Sequence, residues 1–160
     1  MIDALHLLKE VIRPVLLDLR LGGPYAEALV LGTACVESHC GSWLVQLEDG
    51  PARGIYQMEP ATHDDIWYNC LSGAPDLAKK VNRWRVQYGN GMGADEMKFN
   101  LAYATAMCRI HYRRVAEALP DNLPAQAAYW KKYYNTPAGA GTVDKYMLAW
   151  RQFAPATLLV

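Results

Sequence analysis

A glutamate and a serine close an apolar run, Ala34-Cys35-Val36-Glu37-Ser38. A carboxyl at that point faces the negative end of a helix macrodipole. Partial burial beside Val36 and aromatic neighbours adds a desolvation cost for its charge. Both effects raise its pKa, and a general acid that protonates a glycosidic oxygen near neutral pH needs that. A second segment follows, Gly54-Ile55-Tyr56-Gln57-Met58-Glu59-Pro60-Ala61-Thr62. Gly54 allows backbone to approach a ligand closely. Tyr56 offers an apolar face with a polar tip. Gln57 carries both a donor and an acceptor suited to sugar hydroxyls or N-acetyl groups. Taken singly, each has a plainer reading: a solvated helix end for Glu37, and a turn before a helix for the second segment.

Taken together, the two segments resemble the active-site core of lytic transglycosylases and goose-type lysozymes. There, a Glu-Ser pair is followed by Gly-Leu-Met-Gln-x-x-Pro-x-Thr, and this chain matches at Gly54, Gln57, Pro60 and Thr62. Two further stretches follow in the family's order. One is Asn100-Leu101-Ala102-Tyr103-Ala104, at the opening of a long helix. The other is Tyr133-Tyr134-Asn135-Thr136 with Gly139 beyond it. The last departs from the family pattern: Tyr133 replaces a small residue, and Thr136-Pro137-Ala138 displaces the glycine.

The resemblance spans roughly residues 28 to 150. It implies a mainly α, lysozyme-like helical domain with a small irregular or β-hairpin lobe, acting on peptidoglycan glycan strands. It makes Glu37 catalytic and places Ser38, Gly54, Tyr56, Gln57, Asn100, Tyr134 and Asn135 at the substrate, with Ser38 supporting Glu37. It favours a single-glutamate transglycosylation with a 1,6-anhydro product and requires no metal or organic cofactor. Lysozyme-type hydrolysis would add a second carboxylate, drawn from Glu48, Asp49, Glu59, Asp64 or Asp65, with Glu48 and Asp49 of the lobe first among them. A phage-particle component with the same fold and little activity, and an unrelated helical interaction module, are the competing functions. Trp43 is the best candidate among the tryptophans to stack on a sugar ring.

The elements that must position these residues are almost all helices. Leu5, Leu8, Ile12, Val15, Leu16 and Leu19 recur at helical spacing over residues 2 to about 20, with a kink or restart at Pro14. Pro24 suits the first position of the next helix, which runs to about His39 with Gly41 as its stop. It is apolar over Ala28 to Val36 and should be central. Residues 42 to 59 read as the irregular lobe, and Pro60 opens a helix to about Cys70. Asp76 caps another helix to about Tyr88, followed by a loop at Gly89 to Gly93. The stripe Met97, Leu101, Ala104, Cys108, His111 and Val115 predicts one helix from Asp95 to Leu119. Residues 125 to 134 and 142 to 153 give two more.

With 160 residues, 52% hydrophobic and 20% charged, the chain is a single globular domain large enough to bury a core. A formal net charge of zero gives no basic footprint for nucleic acid. Lys79, Lys80, Arg83 and Arg85, and likewise Arg109, Arg113 and Arg114, read as solvated faces. Cys35, Cys40, Cys70 and Cys108 form no CxxC framework. Cys35 and Cys108 read as buried small hydrophobes. Cys35 and His39 share a helix face, but no second pair has ligand spacing, so no metal site is expected. His63-Asp64-Asp65 reads as an acidic first helical turn. The N-terminus lacks a basic region and is interrupted by Asp3, Lys9 and Glu10, unlike a signal peptide. No apolar run suits membrane insertion. Synthesis in the cytoplasm, with delivery to the cell wall by lysis or within a phage particle beside other particle proteins, is the corresponding expectation.

Overall fold

The structure is a computed structural model that describes residues 1–86, 93–156 and 158. It is mainly helical. Asp3 caps the first segment by accepting from the Leu5 and His6 amides at 3.0 Å. From there α1 (Ala4–His6) passes through a π turn (Leu7–Ile12) into α2 (Arg13–Leu19). In that turn the Arg13 amide reaches Leu8 O instead of the usual acceptor four residues back. The spare residue makes room for the Pro14 ring, and α-helical hydrogen bonding restarts there as α2, with Pro14 in its first turn.

Helix α3 (Pro24–Ser38) is buried along nearly its whole length. It packs against the first π turn, α6 (Leu101–Arg113), α7 (Leu123–Trp130) and α8 (Val143–Phe153). α8 crosses at Gly32, where a Cβ would lie 1.9 Å from the Tyr146 hydroxyl oxygen. Only a glycine admits the tyrosine there. α3 ends when His39, Cys40 and Gly41 turn left-handed in succession, at φ of 49°, 54° and 85°. The Cys40 amide then folds back onto Ala34 O at 3.0 Å, closing a Schellman-type end.

Residues 42 to 59 form an irregular lobe of turns. Two isolated antiparallel bridges, Val45 with Arg53 and Arg53 with Met58, hold it together without a regular strand. Pro60 opens α4 (Pro60–Asp65), which continues through a second π turn (Ile66–Cys70). Next comes α5 (Pro75–Arg83). Its cap position is Ala74 rather than Asp76, because Pro75 already supplies the first helical φ. α5 stops at Arg83, short of the expected end near Tyr88, and residues 84–86 are not helical; the expected loop from Gly89 as far as Met92 lies outside the described residues.

The single helix expected from Asp95 to Leu119 is divided. A 3₁₀ segment (Gly93–Lys98) precedes α6, and Asn100 separates them. The Asn100 side chain accepts from the Tyr103 amide at 3.0 Å and donates to Trp84 O and to the buried Glu96 carboxylate. An asparagine that satisfies a helix start in this way breaks the preceding turn. The far end stops at Arg113. Asn122 caps α7 and Thr142 caps α8. Of the expected solvated cations, Arg109 is instead buried on α6, with Nε donating to Leu21 O at 2.9 Å. No helix among the described residues is long and apolar enough to cross a membrane.

Candidate active site

Glu37 occupies the last turn of α3 and lines a cleft of about 630 Å³. Its Oε1 accepts the indole N–H of Trp130 at 3.0 Å. Trp130 is itself buried, in α7 beside Tyr146. Desolvation raises the Glu37 pKa from 4.5 to about 7, while the indole donor pulls in the opposite direction. The cleft therefore holds a carboxyl that is half protonated near neutral pH and has a fixed orientation.

One wall is the lobe, including Trp43, Leu47, Gln57 and Met58. The Gln57 backbone is left-handed at φ 46°, and its Nε2 donates to Gly54 O at 2.8 Å. The other wall is built by the π-helical extension of α7 (Lys131–Asn135), through Tyr134 and Asn135, and by the loop beyond. The Tyr134 hydroxyl donates to Tyr56 O at 2.8 Å and so bridges to the lobe segment. Asn135 Oδ1 accepts from Lys131 Nζ at 2.9 Å and from the Gly141 amide at 3.1 Å. Lys131 Nζ also donates to Thr136 O and Gly139 O, both at 2.8 Å. A single ammonium thus shapes the wall loop from inside.

His111 lines the cleft beneath Tyr134, with an edge-on ring contact at 4.9 Å. Its Nε2–H faces Tyr133 O at 3.0 Å, and its Nδ1 takes a guanidinium N–H of Arg114 at 2.7 Å. Burial, reinforced by the Arg114 charge, lowers its pKa to about 4. It is a neutral positioning group at neutral pH, with both nitrogens engaged.

Glu37, Gln57, Tyr134 and Asn135 therefore meet at one cleft, joined by Thr62 and Trp43. Four other residues expected at the substrate do not. Ser38 is buried and does not support Glu37: its hydroxyl donates to Ile55 O at 2.6 Å and accepts from the Gly41 amide at 2.9 Å, which ties the helix end to the lobe. Gly54 faces protein rather than ligand, since a Cβ there would lie 2.3 Å from Met97 O, with φ at +75°. Tyr56 is buried, with its hydroxyl 2.8 Å from Thr105 Oγ1. Asn100 is the cap of α6 described above. Each of these residues is used in joining the lobe or the 3₁₀ segment to the rest of the structure.

Among the candidate second carboxylates, Glu48 and Glu59 line the cleft and Asp49 does not. Asp64 pairs with His63 Nδ1 at 2.8 Å and Asp65 pairs with Arg114, so both belong to the outer side of α4. Sequence reasoning missed Trp130, Lys131 and the site role of His111. No spacing signal marks them: Trp130 reaches Glu37 and His111 reaches Tyr133 O between separate helices, and Lys131 gathers a nearby loop whose path the residue types do not give. No family model matches the chain, and neither a curated protein nor a solved structure matches it.

Proposed function

We propose that the protein is a peptidoglycan-cleaving enzyme of lysozyme-like fold, acting as a lytic transglycosylase on the bond between N-acetylmuramic acid and N-acetylglucosamine. The observation that carries this reading is the Glu37 carboxyl, desolvated at the cleft, raised to about 7 and oriented by Trp130. Glu37 Oε2, the oxygen not bound to the indole, delivers its proton to the glycosidic oxygen as that bond breaks. The resulting carboxylate, stabilised by the Trp130 donor, then takes the proton of the muramic acid 6-hydroxyl. That oxygen closes onto C1 and gives the 1,6-anhydro sugar, returning Glu37 to its protonated form. The N-acetyl group of the sugar assists as an internal nucleophile. Gln57, Asn135 and Tyr134 supply amide and hydroxyl groups for the sugar substituents, and Trp43 offers an apolar ring face.

Hydrolysis is the second reading, because Glu48 and Glu59 share the cleft with Glu37 and either could activate water. Digestion of purified peptidoglycan by the wild type and by Glu37→Gln, with products read by mass spectrometry, separates the possibilities. Transglycosylation gives muropeptides lighter by one water than reducing ones, and they vanish in the variant. Reducing ends give the reaction to hydrolysis. No soluble product from folded wild type rejects an enzyme and leaves a structural role, such as a component of a phage particle.

A further inference from the structure

Cys35 and Cys40 take no part in the cleft chemistry, yet their sulfurs lie 3.6 Å apart and both side chains are buried. In a continuous helix, residues five apart point about 140° away from each other. The left-handed sequence His39-Cys40-Gly41 removes that separation and brings Cys40 back over the last turn of α3. Left-handed backbone is costly for residues other than glycine, and here two such residues adopt it side by side. Cys108 is buried on α6, and Cys70 ends the second π turn. Cys35 with Cys40 is the close sulfur pair among the described residues.

We propose that Cys35 and Cys40 are a dithiol–disulfide pair that closes, on reaction with a small-molecule disulfide, into a staple across the turn that carries Glu37. Cys40 is the entry point. It is covered by the N-terminal stretch, where the Ile2 amide donates to Cys40 O at 2.8 Å. Local opening of that stretch uncovers it. The Cys40 thiolate attacks one sulfur of the oxidant and expels a thiolate. The Cys35 thiolate then attacks Cys40 Sγ and expels the second. The two cysteines lose two electrons and two protons, and the oxidant leaves as two thiols. The sulfurs need only close from 3.6 Å to about 2.05 Å.

The wild-type protein, equilibrated with oxidised and reduced glutathione over a range of ratios, acid-quenched, unfolded, alkylated and digested with trypsin, provides the test. The peptide from Leu21 to Arg53 contains both cysteines and no internal cleavage site. The expected result is that this peptide loses two hydrogens and takes up no alkylating reagent, while Cys70 and Cys108 are still alkylated. Hydrogen exchange of the Cys40 and Ile2 amides should slow at least tenfold on oxidation. Full alkylation of Cys35 and Cys40 at every ratio overturns the proposal, as does a lasting glutathione adduct on Cys40 or a bond from either to another cysteine. Because mapping uses wild type, no variant needs to fold, and because it reads sulfur chemistry, its failure leaves the proposed glycan cleavage untouched.

Discussion

Replacing Glu37 with glutamine should stabilise the protein at pH 8 and leave its stability unchanged at pH 4. The folded carboxyl titrates at about 7, against an ordinary value of 4.5. Between those two values the native state keeps a proton that the unfolded chain has released. The wild type therefore loses stability as pH rises from 4.5 to about 7 and stays at the lower level above that. At about 1.4 kcal/mol per pH unit, the whole interval corresponds to about 3 kcal/mol at most, since the carboxyl keeps some contact with the open cleft. Glutamine removes the ionisation and keeps an oxygen for the Trp130 donor. For a chain of this length, 3 kcal/mol moves the melting temperature by roughly 6–12 °C. Urea unfolding of both proteins at pH 4, 6 and 8 measures the difference directly, and every other titrating group cancels between them. A difference that is the same at pH 4 and pH 8, or a less stable variant at pH 8, would refute a desolvated Glu37 and with it the physical basis for a general acid.

Three more perturbations test the surrounding structure. Trp130→Phe removes the donor that opposes desolvation of Glu37; the alkaline limb of the kcat/KM profile for glycan cleavage should move up by about one pH unit, and an unmoved limb would show that the indole does not tune the acid. Lys131→Met deletes the three bonds that hold the wall loop. It should weaken chitooligosaccharide binding about tenfold by calorimetry while the pH profile keeps its shape. Gly54→Ala forces a Cβ against Met97 O in a left-handed backbone, so urea unfolding should show a loss of at least about 2 kcal/mol; a neutral result would mean that the lobe does not pack on the 3₁₀ segment.

The helical character of the chain is written in its residue order, because apolar residues recur at helical spacing between proline and glycine punctuation. So is the central place of α3: a helix apolar on all sides cannot face water. Pro24 and Pro60 marked helix starts because a proline's fixed φ and missing N–H suit that position alone. Glu37 was legible as an unusual carboxyl, since its position at the end of that apolar helix is local information. Local information also overreached. The apolar stripe through Met97 and Cys108 crossed a break that Asn100 imposes by capping, which periodicity does not record.

Which polar residues reach the cleft depends on how the helices and the lobe pack. Gln57 and Tyr56 are neighbours in one motif, yet a left-handed turn at Gln57 sends one side chain to the cleft and the other into the core. Ser38 adjoins Glu37, but the next residue along a helix points about 100° away, and it meets Ile55 instead. Trp130 is brought to Glu37 from a distant part of the chain by the packing of α7 against α3. A hydrogen bond between side chains so far apart in sequence depends on how whole helices cross, and no residue spacing encodes that crossing.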